Sequence, residues 1–400
     1  MNLTREEQSM LAGEQGRAVQ TAMRILAALG KIYGAARMLP VRSVQIAGVS
    51  YDNLGDAGLE WLAEMADGGG RARVPAMLNP AGMDLENWRA LGIPAGFADK
   101  QVRVIDAFTR MGVTPTCTCT PYLAGTVPAA GETIAWAESS AVCYANSVLG
   151  ARTNREGGPS ALAAALTGRT PEYGLHLDAN RRPDVTVNVA ARLSGGSDFG
   201  ALGKAVGERL ESLGRKKIPL MIGVESATVE ELKSLCASIG TYGGTALFHL
   251  RGITLEANGF PAPAEAFTVT ETELDVARRS LTDPSEGAAD FISLGCPHLS
   301  LKEVERIAEL LEGKRVAKEF WITTSRPVKR EADRLGYAET IERGGAKFAV
   351  DTCCVVAPIR GRFRTMATDS AKACYYAAAK NKFHTRFLDF DSTVREALEP

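Results

Sequence analysis

Short apolar runs alternate along this chain with stretches of helical length and periodicity, and that alternation limits what it can fold into more than any other feature. The β-like run SVQIAGVS (43–50) ends in Gly and Ser, DAGLEWLAEMADGGG (56–70) has a helical pattern closed by glycines, and RVPAMLNPAGMD (73–84) resembles a strand entering a loop. Strands joined through a helix pair in parallel, because an antiparallel neighbour needs only a tight turn whereas a parallel one needs a long crossover. Covered parallel sheets, and so an α/β fold, are the expectation.

The same grammar continues to the C-terminus. QVRVIDAFTRMGV (101–113) is a helical pattern, TPTCTCTPYL (114–123) an extended loop, and ETIAWAESSAVCYANSVLGA (132–151) a helix with small residues on one side. The pattern restarts with VTVNVAARL (185–193), the helix 201–214, the strand 218–224, the capped helix 227–240 and a candidate strand at 245–252. In the last third, DFISLGC (290–296), KEFWITTS (318–325) and KFAVDTCCVV (347–356) read as strands, with helices at 301–314 and 328–345 between them. One or two helices open the chain, beginning at the cap-like Thr4. Lobes at 1–184, 185–285 and 286–400 are expected, and no fixed-period repeat or low-complexity segment interrupts them.

Composition narrows the function classes. Lys plus Arg total 46 against 47 for Asp plus Glu, so no overall field draws the protein to nucleic acid or to an anionic membrane. Apolar stretches are broken well before the ~18 residues of a membrane span, and the N-terminus has no signal-peptide order, so a cytoplasmic location is expected. The eight cysteines are then reduced thiols, available for packing, metal binding or catalysis.

Their positions relative to the strands are informative. Cys117 and Cys119 lie in the Thr/Pro-rich loop, Cys296 follows FISLG, and Cys353 and Cys354 follow FAVDT. In parallel sheets ligands gather beyond the carboxyl ends of the strands, so these distant segments are placed to converge. No paired CxxC spacing singles out a metal site. Cys143, Cys236 and Cys374 lie within helical patterns and read as core residues. Of the four histidines, only His298 adjoins a loop cysteine; His176 and His249 read as structural and His384 as a surface residue. Arg152, Asn154 and Arg155 precede a Gly-Gly-Pro helix start, where guanidinium groups and backbone N–H groups can hold an anion; a plain surface loop is the competing reading. No phosphate-loop or dinucleotide fingerprint occurs.

TCTCTPYL, ESSAVCYANSVLGARTNREGGPSALAAALTGRTPEYG (138–174), GCPH (295–298) and DTC (351–353), with GVSYDNLGDAGLEWL and LNPAGMD before them, resemble the aconitase X family in this order. The likeness runs from about residue 5 to 385. It implies an aconitase-like large part built of several α/β lobes with mainly parallel sheets around an iron–sulfur site, [4Fe–4S] or [2Fe–2S]. By motif, the cluster ligands fall on Cys119, Cys296 and Cys353. Ser139, Ser140, Asn146, Arg152, Asn154 and Arg155 are the residues expected around the substrate carboxylate.

The resemblance also implies a hydro-lyase acting on a small hydroxy acid. Three thiolates leave one iron open to polarise a hydroxyl leaving group, whereas four would close the site. The family includes cis-3-hydroxy-L-proline dehydratase, the favoured reading on composition, and phosphomevalonate dehydratase, whose second anion would need a pocket such as Lys329, Arg330, Arg360, Arg362 and Arg364. The small swivelling domain of single-chain members has no counterpart here, so a separate small subunit carrying a serine base is expected. A non-catalytic iron–sulfur sensor that binds RNA, and a zinc hydrolase using cysteine and His298, are the alternatives from other classes.

Overall fold

A computed structural model describes residues 1–214, 218–284 and 287–398. Among these residues three parallel sheets follow one another along the chain, each layered with helices. The first holds Ala76–Leu78, Val44–Ile46 and Ala135–Trp136 in that spatial order, with Val44 opposite both Ala76 and Ala135. Its helices bury Leu26, Leu62, Val104 and Leu166 against it in a single apolar cluster. A two-stranded antiparallel ribbon joins Met38–Pro40 to Arg169–Pro171 beside this sheet.

The second sheet is ordered His249–Leu250, Pro219–Ile222, Val185–Val189, Ala266–Val269, all parallel. The third runs Lys347–Val350, Glu319–Thr324, Phe291–Leu299, Thr365–Thr368, His384–Phe387, again all parallel. Its central strand is buried along nearly its whole length, as a strand covered on both faces must be, which explains its unbroken apolar sequence. The expected division near 184/185 falls just before Val185–Val189, while the one at 285/286 lies outside the described residues.

Local chemistry sets the helix boundaries. Thr4 and Glu7 form a reciprocal capping box and the helix Arg5–Ala12 stops at Gly13 with φ +91°. Thr228 with Glu231 and Ser300 with Glu303 start Val229–Tyr242 and Leu301–Leu311 in the same way. The pattern at 328–345 is not one helix: Gly336, at φ +80°, separates Arg326–Arg334 from Tyr337–Arg343.

The stretch 132–151, expected to be a single helix, also divides. Ala135–Trp136 pairs with Val44 and Gln45 as a fully buried edge strand, and only Ser139–Ser147 is helical. Its small residues gave a helical pattern, but burial of Ile134 and Trp136 beside the central strand outweighs that local preference. The difference matters, because it moves Glu138, Ser139 and Ser140 from mid-helix to the cap and first turn of a short helix that follows a strand.

Candidate active site

The loops leaving the carboxyl ends of the first and third sheets meet. Ala81 N–H donates to Asp351 O at 2.8 Å, Val350 N–H to Asp84 Oδ2 at 3.0 Å, and Ser50 Oγ to Val356 O at 3.0 Å. Buried Asp84 also accepts the Glu86 and Asn87 N–H groups, both at 2.9 Å, while Arg326 binds Asp84, Glu86 and Asp351 together. The junction therefore fixes NPAGMD against DTCC before any ligand is considered.

Cys119, Cys296 and Cys353 lie at this junction. Burial pushes all three thiols above their ordinary range, Cys296 to about 12, and the Lys372 ammonium acts on each in the opposite direction. Cys119 and Cys296 both feel charge on Cys353, so Cys353 lies within electrostatic reach of each. Cys119 Sγ accepts the His298 N–H at 3.2 Å, and the Cys353 carbonyl accepts the Val356 N–H at 3.1 Å. Their neighbours are set differently: Cys117 packs into the apolar core of the first lobe and Cys354 into the cluster around Phe291 and Trp321. Cys143, Cys236 and Cys374 are buried.

Beside the thiols lies a buried ion pair that the sequence did not reveal. Glu138 caps the helix Ser139–Ser147 and contacts Lys372, whose Nζ also donates to Ser139 Oγ at 3.2 Å. Asn79 Nδ2 donates to Glu138 Oε2 at 2.9 Å, and Ser139 and Ser140 hydroxyls donate to its other oxygen, each at 3.2 Å. Burial alone would raise the Glu138 pKa, but the charge and hydrogen bond of Lys372, the Ser140 backbone N–H and nearby Arg155 outweigh it and hold the carboxyl at about 2. Glu138 opens the recognised block 138–174, whereas Lys372, in TDSAKAC (368–374), lies outside every recognised motif. What concealed the pair was the helical reading of 132–151 and a separation of 234 residues.

The six residues expected around a substrate do not form one group. Ser139 and Ser140 are at the junction, and Arg155 is exposed and close enough to Glu138 to act on its charge. Asn146 is elsewhere: its amide bonds Thr153 O, Ala246 O, Thr153 N and Arg181 Nη1, all within 3.1 Å. Asn154 holds Tyr173 O and Leu175 N, and Arg152 is paired with Glu256 and Asp178. The polar ends of these three are partnered within the chain, away from Glu138 and Lys372. The basic residues considered as a second anion pocket are likewise divided, with Lys329 paired to Asp333 and Glu342 and Arg362 held by Leu91 O and Glu319.

The donor set suits an iron–sulfur cluster. Three reduced thiols arrive from three segments, which is the ligand chemistry such clusters use. Among the described residues no three His, Cys, Asp or Glu side chains are spaced for a single ion. A polynuclear cluster joins each sulfur to a different metal and so requires wider spacing. The zinc reading of His298 is corrected, because both its ring nitrogens are engaged by Thr118 and Thr352. No described helix is long and apolar enough to cross a membrane.

Comparison with known proteins agrees with this architecture. Residues 1–179, 183–279 and 289–399 match the family models for the first, second and third domains of aconitase X. The chain is 46% identical over 397 residues to the phosphomevalonate dehydratase large subunit of Methanothermobacter thermautotrophicus, covering 98% of each. It is 35% identical to cis-3-hydroxy-L-proline dehydratase of Pseudomonas aeruginosa, covering 98% of this chain but 69% of that protein. The crystal structure of Thermococcus kodakaraensis aconitase X in its holo-form superposes with a TM-score of 0.92 at 45% identity, over 99% of this chain and 100% of that one. With three successive domain models along its length and dehydratases among its full-length relatives, this chain belongs to the aconitase X family of hydro-lyases.

Proposed function

We propose that this chain is the large subunit of a phosphomevalonate dehydratase and that Cys119, Cys296 and Cys353 hold its iron–sulfur cluster. The observation carrying the substrate assignment is the 43–46% identity to four large subunits of that name, over 97–100% of their lengths. The two cis-3-hydroxy-L-proline dehydratases are 34–35% identical, and this chain spans 65–69% of them. This reverses the preference for hydroxyproline, which rested in part on composition. Relatives named as large subunits support a separate small subunit as partner.

Dehydration removes a proton beside the carboxylate and a hydroxide from the next carbon. When bound, a cluster held by three thiolates supplies an open iron that takes up the charge of the departing hydroxide. The chain's own residues hold and orient the substrate. The Lys372 ammonium, fixed by Glu138 and Ser139, and the exposed Arg155 give a carboxylate two cations to meet. Glu138, held at about 2, is a poor base near neutral pH, which agrees with assigning proton abstraction to the small subunit. Conjugation of the new double bond with the carboxylate gives the product an ultraviolet band.

The test is to reconstitute the two-subunit protein anaerobically with iron and sulfide and to supply phosphomevalonate and cis-3-hydroxy-L-proline separately. Turnover of phosphomevalonate is expected; turnover of hydroxyproline alone would overturn the substrate assignment.

A further inference from the structure

Cys119 and Cys353 sit on loops and Cys296 within the strand Phe291–Leu299, and the three segments share no strand or helix, so their relative spacing needs a tie of its own. His298 touches all three segments. It stands two residues after Cys296, its backbone N–H donates to Cys119 Sγ at 3.2 Å, and its ring joins Thr118 Oγ1 at 3.0 Å to Thr352 O at 2.9 Å. Thr118 precedes Cys119 and Thr352 precedes Cys353. The ring is wholly buried, so no water competes for these bonds.

The partners fix the tautomer. A carbonyl can only accept, so Nε2 carries the hydrogen and donates to Thr352 O, which leaves Nδ1 to accept the Thr118 hydroxyl hydrogen. Thr118 Oγ1 accepts the Thr120 N–H at 3.2 Å, which holds that hydroxyl in place. The other end of the His298 peptide is fixed as well: buried Lys233 donates to His298 O at 3.0 Å and is paired with Glu303 of the adjoining capping box.

The geometry points to His298 as the positioning residue that holds the three cysteine segments at one spacing and, through its N–H, draws charge from the Cys119 thiolate. It is not a ligand, because neither ring nitrogen is available to a metal. This inference rests on the proposed assignment of Cys119, Cys296 and Cys353 to the cluster. Partners that orient metal ligands from behind typically change metal retention by roughly 10–100-fold when removed.

The test uses the full chain, reconstituted with ferrous iron and sulfide, and follows release of iron to a chelator and visible circular dichroism. His298→Ala should release iron at least about tenfold faster than the parent and shift the dichroism bands. His298→Gln, whose amide can still donate toward Thr352, should recover part of the difference. Thr118→Val is close in shape and keeps the histidine, so it carries the test if His298→Ala fails to fold; it too should speed release. In the cluster-free chain, the buried thiols of both variants should react faster with a disulfide reagent. Parent-like release and dichroism in a loaded, folded Thr118→Val protein, or in His298→Ala, would overturn the role of His298. A parent chain that binds no iron and sulfide would instead overturn the ligand assignment and this inference with it.

Discussion

Cys117 and Cys119 are two positions apart and have opposite surroundings. One is packed among the apolar side chains of the first lobe, the other accepts an N–H from a different lobe. Replacing Cys119, Cys296 or Cys353 by Ser should remove the iron–sulfur absorbance and dehydration together. Cys117→Ala should instead keep the absorbance while lowering stability by about 1 kcal/mol, the loss from trimming a small buried side chain. Absorbance spectra and urea unfolding of the four variants check this contrast. At Lys372 the expectation is harsher. Lys372→Met leaves Glu138 buried without its cation, a change that typically destabilises by roughly 3–5 kcal/mol. Thermal unfolding measures that loss, and the Glu138→Gln, Lys372→Met double variant should recover part of it.

His176 gives a pH dependence away from the site. Among the described residues neither ring nitrogen has a hydrogen-bond partner, and burial, helped by the Arg181 charge, lowers its pKa from 6.5 to about 4. The unfolded chain therefore binds the proton more readily. The stability this residue contributes is fully present above about pH 6.5 and is lost as pH falls toward 4, on the order of 2–3 kcal/mol over that window. Urea midpoints measured from pH 7 to 4 should fall less steeply in His176→Phe than in the parent.

At the scale of elements, the strand Phe291–Leu299 delivers Cys296 because its backbone bends at Gly295, with φ +106°. A Cβ there would lie 2.1 Å from Thr323 O and 2.4 Å from Thr323 Oγ1, both parts of the neighbouring strand. Thr323 Oγ1 itself donates to Gly295 O at 2.7 Å, so this approach is a built contact. Gly295→Ala should destabilise by roughly 2–4 kcal/mol through left-handed strain and overpacking, and should lower iron content as well. Calorimetry and metal analysis of the purified variant check both effects. The cap at Thr4 was legible in the sequence because its partner Glu7 stands three residues on. The strand Ala135–Trp136 was not, since a two-residue element has no period and exists only through its pairing with Val44 and Gln45.

For the whole molecule, the cysteine segments span the junction of the first and third lobes, and a cluster bound there would cross-link them. Anaerobic removal of iron should therefore lower the unfolding temperature and broaden the transition, because a ligand that binds only the folded state adds to its stability. Differential scanning calorimetry of loaded and stripped protein is the measurement. The ties already present without metal, Arg326 to Asp84 and Asp351 and Lys233 to His298, predict that the stripped chain stays folded.

The α/β class, the parallel pairing, the family and the segments that carry Cys119, Cys296 and Cys353 could be read from the chain alone, because each follows from local periodicity or from contiguous motifs. Only the tertiary structure decided that Glu138 meets Lys372, that His298 is bound on both nitrogens, and that Asn146, Arg152 and Asn154 support the fold. Those outcomes depend on contacts between residues far apart in the chain. Which polar ends remain available to a substrate is fixed only after burial and hydrogen bonding have claimed the others.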